Sequence, residues 1–292
     1  MTTLKRFSIS VFLFGLLILV SSCTVQVGNE KDAPILAVES FLGDLTRRIA
    51  GDALVVDTLI SPGIDLHGFQ PSPQDIARIA KAKVIIANGA GLESWLQPIL
   101  NKTSTSLTII EASAGIPLVD DDPHLWLDPI LVKNYVDNIE QALSDFEPTQ
   151  STLFSNNAEE LKQDLDLLDA WIRQQVEQIP LKRRLLITNH ESLGYFARRY
   201  GFTLLGSIIP SHDALAETTA QHITELISQI KLTSAPAIFL ETGSNPKLAE
   251  QLEAETGVKV ISGLYTHSTD DQALTYIEMM RANVNKIVDA LR

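Results

Sequence analysis

The sequence predicts an α/β protein of two Rossmann-like lobes with largely parallel sheets, joined by a long rigid helix. Three observations carry that prediction. Short aliphatic and β-branched runs alternate with segments of helical period over residues 34–146. The alternation stops over residues 147–178, a helical stretch without glycine whose one proline, Pro148, lies at its start. It then resumes from residue 185 to near the C-terminus. Strands that alternate with helices pair in parallel and are covered on both faces. Two such blocks make two lobes with a cleft between them.

In the first block, residues 35–38 read as a strand and 41–50 as a helix stopped by Gly51. Residues 54–56 are a second strand. Ser72-Pro73-Gln74-Asp75 opens a helix, with Ser72 as N-cap, Pro73 at the first helical position and Asp75 in the first turn. Residues 84–87 form a third strand, 92–100 a helix and 107–110 a fourth strand. Asp128-Pro129 starts another helix by the same capping logic, ending near residue 146. In residues 147–178, Leu161, Leu165, Leu168, Ile172 and Val176 recur at spacings of three and four. About thirty helical residues would span about 45 Å, long enough to bridge two lobes. In the second block the strands are 185–187, 202–205, 237–240 and 258–261, and the helices 192–200, 218–231, 246–256 and 273–291. The resulting division is 33–146 for the first lobe, 147–180 for the link and 181–292 for the second lobe.

The N-terminus stands apart. Lys5 and Arg6 precede an apolar run over residues 7–19 that is short for a membrane span, and Val20-Ser21-Ser22-Cys23 follows. This is the pattern of a secretory signal over residues 1–22. The chain holds a single cysteine, so no disulfide accounts for Cys23. Residues 23–32 are largely polar and read as a tether. The chain carries a formal net charge of −13; without Lys5 and Arg6 the balance is 21 basic against 36 acidic residues, or −15. Such acidity argues against nucleic acid as a partner and against electrostatic docking on anionic lipid.

Four of the six histidines share one context. His67, His124, His190 and His267 each follow a predicted strand, two in each block. Ligands of open α/β sheets bind beyond the carboxyl ends of strands, so the cleft is where all four would meet. Four donors at about 2.0–2.2 Å complete a tetrahedral zinc-type site. Imidazoles suit Zn²⁺, whereas Mn²⁺ favours oxygen donors, so zinc is favoured and manganese is the alternative. The carboxylates Asp65, Asp122, Glu191 and Glu241 are candidates to orient the rings and offset the ion's charge. His212 reads as part of a surface turn and His222 as part of a helix, and neither is included.

The motifs Leu66-His67-Gly68-Phe69-Gln70-Pro71-Ser72-Pro73-Gln74-Asp75, Asp122-Pro123-His124-Leu125-Trp126-Leu127-Asp128-Pro129 and Thr188-Asn189-His190-Glu191-Ser192-Leu193-Gly194-Tyr195-Phe196 stand in a fixed order with Gly263-Leu264-Tyr265-Thr266 and the final helix. In this the chain resembles the cluster A-I solute-binding lipoproteins of bacterial zinc and manganese ABC importers. The resemblance implies that Cys23 lies in a lipobox and becomes a lipidated N-terminus. It implies metal ligation by His67, His124 and His190, an extracytoplasmic place at the membrane or in the periplasm, a monomer, and an ABC permease as partner. At the fourth position the family commonly has Asp where this chain has His267, and Asp270 and Asp271 lie close by. The long histidine- and acid-rich insertion of many zinc members does not stand before His124, so a metal-collecting loop is either missing or reduced to Asp120-Asp121-Asp122.

An enzyme is the rival class. His190-Glu191 begins like the zinc-protease signature H-E-x-x-H, but Gly194 stands at the second histidine position. No nucleophile elbow is present. The sequence therefore reads as a binding protein and not as a secreted zinc hydrolase; a surface adhesin is compatible with the same metal site.

Overall fold

A computed structural model describes residues 33–292 apart from 62, 63, 65 and 102–106. Cys23, the leader, the tether and Asp65 lie outside the described residues.

The first half contains β1 (Ile35–Ala37), α1 (Ser40–Ala50), β2 (Val56–Thr58), α2 (Pro73–Lys81), β3 (Val84–Ala87), α3 (Leu96–Leu100) and β4 (Thr108–Glu111). Its sheet has the order β2-β1-β3-β4, and all three pairings are parallel. Then come α4 (Val132–Phe146) and α5 (Ser151–Val176). The second half contains β5 (Leu185–Thr188), α6 (Gly194–Tyr200), β6 (Thr203–Ser207), α7 (Ala220–Thr233), β7 (Ala237–Glu241), α8 (Lys247–Thr256), β8 (Lys259–Leu264) and α9 (Tyr276–Leu291). Its sheet repeats the topology, β6-β5-β7-β8, again all parallel. The predicted α/β architecture of two parallel sheets is thus the observed one.

Local chemistry sets the element ends. Ser72 caps α2 as its sequence indicates: Asp75 N donates to Ser72 Oγ at 3.2 Å, and Ser72 N donates to Asp75 Oδ2 at 2.9 Å. The second strand lies two residues later than predicted, because Val56 pairs with Ile35 while Val55 faces solvent. Helix α3 is shorter than predicted. The Glu93 carboxylate accepts the backbone N–H groups of Asn88 and Gly89, which folds the preceding segment into turns. Helix α4 starts at Val132 and not at Pro129. A 3₁₀ turn occupies Leu125–Leu127, and Asp128 Oδ1 accepts from Ile130 N at 2.9 Å. The long helical stretch divides into a 3₁₀ turn, Pro148–Gln150, followed by the 26 residues of α5.

One apolar core runs through the first sheet, α1, α4, α5, α6 and α9, so both lobes draw on it. A smaller core, including Ile187, Leu226, Ile238 and Leu252, lies on one side of the second sheet. Polar bonds also join the halves. Trp126, fully buried, donates from Nε1 to Thr266 O at 2.8 Å. Tyr276 donates from its hydroxyl to Trp126 O at 2.7 Å and from its backbone to Asp44 Oδ2 at 2.9 Å. The chain between β8 and α9 is therefore fastened to the opposite lobe.

Candidate metal centre

The Asp122-Pro123-His124 segment shows how local sequence aims a side chain. Asp120 and Asp121 adopt φ of 59° and 57°, a left-handed turn that aspartate tolerates better than most residues. Asp122 then closes an Asx turn in which Oδ1 accepts the backbone N–H of His124 at 2.9 Å. The same oxygen lies 2.8 Å from His124 Nδ1. The ring hydrogen is thereby assigned to Nδ1, and Nε2 is left with its lone pair. The close fit depends on Gly194: a Cβ there would stand 2.5 Å from Asp122 Oδ2.

His190 follows β5 and has a carboxylate of its own. Its Nδ1 lies 2.7 Å from Glu241 Oε1, a close polar contact that falls short of an aligned hydrogen bond. Glu241 ends β7, is 5% exposed, and accepts from Ser192 Oγ at 2.9 Å. Its other oxygen is 3.9 Å from His267 Nδ1. One buried carboxylate thus stands behind two of the rings.

All four histidines converge. The six distances between ring centroids run from 4.9 to 5.7 Å. His124 and His190 are fully buried, and His267 is 6% exposed. His67 Nε2 faces His267 Nε2 at 3.2 Å, and His190 Nε2 faces His124 Nε2 at the same distance. One donor atom from each ring fits in a group no wider than 4.8 Å. Two neutral imidazoles can share one N–H···N hydrogen bond at such a distance, but where both nitrogens carry lone pairs they repel, and a cation between them turns that repulsion into ligation. A tetrahedron with nitrogens about 2.0–2.1 Å from its centre has edges of about 3.3 Å, close to the observed spacing.

Electrostatics agree with that arrangement. Burial, joined by the neighbouring rings, holds the His124 and His267 imidazoles well below the ordinary histidine value. Both are thus kept neutral, the state in which nitrogen ligates. Burial alone would raise Glu241, yet its contacts with His190, His267 and Ser192 hold it below the usual range, as a carboxylate. Burial pushes Asp122 up to about 6 against the pull of the His124 backbone N–H and of Arg198.

The remaining sequence candidates are placed differently. Glu191 exposes its side chain, and its backbone carbonyl is what faces the site's surroundings. Asp270 accepts from Tyr265 Oη and from two backbone N–H groups, which keeps it inside its own loop, and Asp271 is exposed. His212, set aside as a surface turn, instead lies beside the centre. Its Nδ1 is 2.7 Å from Glu191 O and its Nε2 3.2 Å from Asp120 O. With Asp122 and His124 it forms a second group of potential donors.

Residues 35–290 match the family described as zinc-uptake complex component A, periplasmic (ZnuA). Over 302 residues the chain is 31% identical to the manganese-binding lipoprotein MntA of Halalkalibacterium halodurans, covering 99% of each protein. Among solved structures it matches the periplasmic zinc-binding protein TroA of Treponema pallidum with a TM-score of 0.82 and 27% identity, over 89% of this chain and 99% of that one. It matches the manganese-bound periplasmic metal-binding protein of Candidatus Liberibacter asiaticus with a TM-score of 0.80 and 27% identity, over 88% and 99% of the two chains.

Proposed function

The chain belongs to the ZnuA family, whose members are metal-binding substrate proteins of ABC importers and not enzymes, and from that premise we propose that it captures zinc outside the cytoplasm and delivers it to a membrane permease. His67, His124, His190 and His267 are the ligands in this reading, each through Nε2. The observation that carries it is the meeting of four Nε2 atoms, three of them from buried residues, in two pairs with 3.2 Å between the members of each. Asp122 and Glu241 orient His124 and His190 and supply two negative charges against a divalent ion. The all-nitrogen donor set favours Zn²⁺ over Mn²⁺, which prefers oxygen. Manganese is the second reading, favoured by the 31% identical relative named for that metal.

Residues 1–22 act as the signal and residues 23–32 as the tether, with lipid on Cys23 holding a monomer at the membrane. Residues 33–146 and 181–292 form the lobes about the link at 147–180. Among the described residues no helix is long and apolar enough to cross a membrane.

Elemental analysis of natively purified protein tests the metal. One zinc per chain is expected, reduced in His190→Ala and in His267→Ala. Stoichiometric manganese without zinc overturns the zinc assignment, and undiminished affinity in His267→Ala removes that residue from the ligand set.

A further inference from the structure

We propose that His212 is a positioning residue for this centre: it braces the loop that carries His124 in one lobe against the loop that carries His190 in the other, and so slows metal release. The inference rests on the reading that the four imidazoles hold the ion.

Its ring spans two backbone carbonyls from opposite lobes. Glu191, 2.7 Å from Nδ1, directly follows His190, and Asp120, 3.2 Å from Nε2, starts the turn that leads to His124. A neutral ring donates its one hydrogen to one of these carbonyls; in either case the imidazole fills the space between the two loops. Nδ1 is also 3.8 Å from Asp122 Oδ1, the oxygen that orients His124.

The segment that carries His212 is fastened to its own lobe by backbone bonds, from Ile209 N to Asn189 O at 2.8 Å and from Glu191 N to Ser211 O at 2.9 Å. It then reaches across the cleft. Leu215, 61% exposed, sets Cδ1 where a Cβ on Gly68 would be 3.5 Å away, beside His67. His212 also stands between two openings. One cavity of about 370 Å³ includes Asp122, Glu191 and Arg198 in its lining, and another of about 230 Å³ includes His67, Asp121 and Asp213; His212 lines both. Removing the ring would join these openings next to the ligands and leave the two loops linked through the Tyr195 hydroxyl, which accepts from Val119 N and donates to Asp122 O.

The test is the rate at which zinc passes from the loaded full chain to a chelator in excess, read with metal stoichiometry and with the melting temperature of metal-free protein. His212→Ala is expected to release zinc about tenfold faster, the effect of one lost hydrogen-bonding group. Stoichiometry and metal-free melting should not change. His212→Gln, whose amide carries two hydrogens for the two carbonyls, should restore slow release. Arg198→Ala, which removes an exposed ion pair to Asp120, should leave the rate unchanged. Wild-type release from His212→Ala overturns the brace. So does a fall in metal-free melting that matches the faster release, which would mark a structural role. A second zinc equivalent lost in His212→Ala would make His212 a ligand and also overturn it. Absence of zinc from the wild-type chain overturns the metal reading itself.

Discussion

Single atoms decide the quality of the centre. Gly194 opens α6 where any larger residue would press on Asp122, and Asp122 is what sets the tautomer of His124. Gly194→Ala should therefore lower metal affinity by about 10–100-fold, as removal of a ligand's orienting partner does. Helix propensity favours alanine, so metal-free stability should not fall with it. Competition with a chelator of known affinity, beside thermal unfolding, separates the two. A second residue-scale effect lies in the first lobe, where Glu39 is fully buried beside the Glu93 carboxyl. Burial, with the charge of Glu93 added, raises its carboxyl well above the ordinary value. As pH climbs past the ordinary carboxylate range, unfolded Glu39 ionises while folded Glu39 keeps its proton. Stability then falls as pH rises towards the folded value, by at most about 1.4 kcal/mol per pH unit for one proton. Glu39→Gln carries no such penalty, so its gain in melting temperature should be larger at pH 8 than at pH 5.

Elements place these atoms by their ends. Helix α9 begins with a reciprocal cap: Thr275 Oγ1 accepts from Glu278 N at 3.2 Å, and Glu278 Oε2 accepts from Thr275 N at 3.0 Å. Because Tyr276 N bonds Asp44 of the other lobe, this helix start also anchors the segment that bears His267. Thr275→Ala should cost about 1 kcal/mol, or a drop of about 2–4 °C in melting temperature for a chain of this size. Caps of this kind are local and were readable in advance for α2, where Ser72 and Asp75 lie three residues apart. Other ends were not. Asp128 reads as the cap of α4, but its carboxylate accepts from Ile130 N and lies 3.2 Å from Arg199 Nε, a partner 71 positions away that no local pattern reveals. The shortness of α3 has a similar origin, since Glu93 turns back to the loop after β3 instead of serving a helix.

Across the whole molecule, α5 and the common core resist separation of the lobes. At 1.5 Å per residue its 26 residues span about 39 Å. Leu161, Leu165, Leu168 and Ile172 are fully buried along it. Metal binding should accordingly tighten loops more than it moves lobes. Hydrogen exchange is expected to slow on zinc loading at residues 66–69, 120–128, 189–192, 208–216 and 265–270, with little change in α5; a broad gain of protection along α5 would instead indicate a hinge. The sequence by itself determined the alternation of strands and helices, the interruption between two α/β blocks, and the placement of each of the four histidines in a segment that follows a strand, because hydrophobic period and capping are encoded over a few residues. Tertiary structure alone decided that Asp122 and Glu241, and not the Glu191 side chain, stand behind the rings, and that His212 bridges the lobes. Those contacts join residues as far apart as Asp120 and His212, brought together by two parallel sheets and the segments that cross between them, and no local spacing records such a meeting.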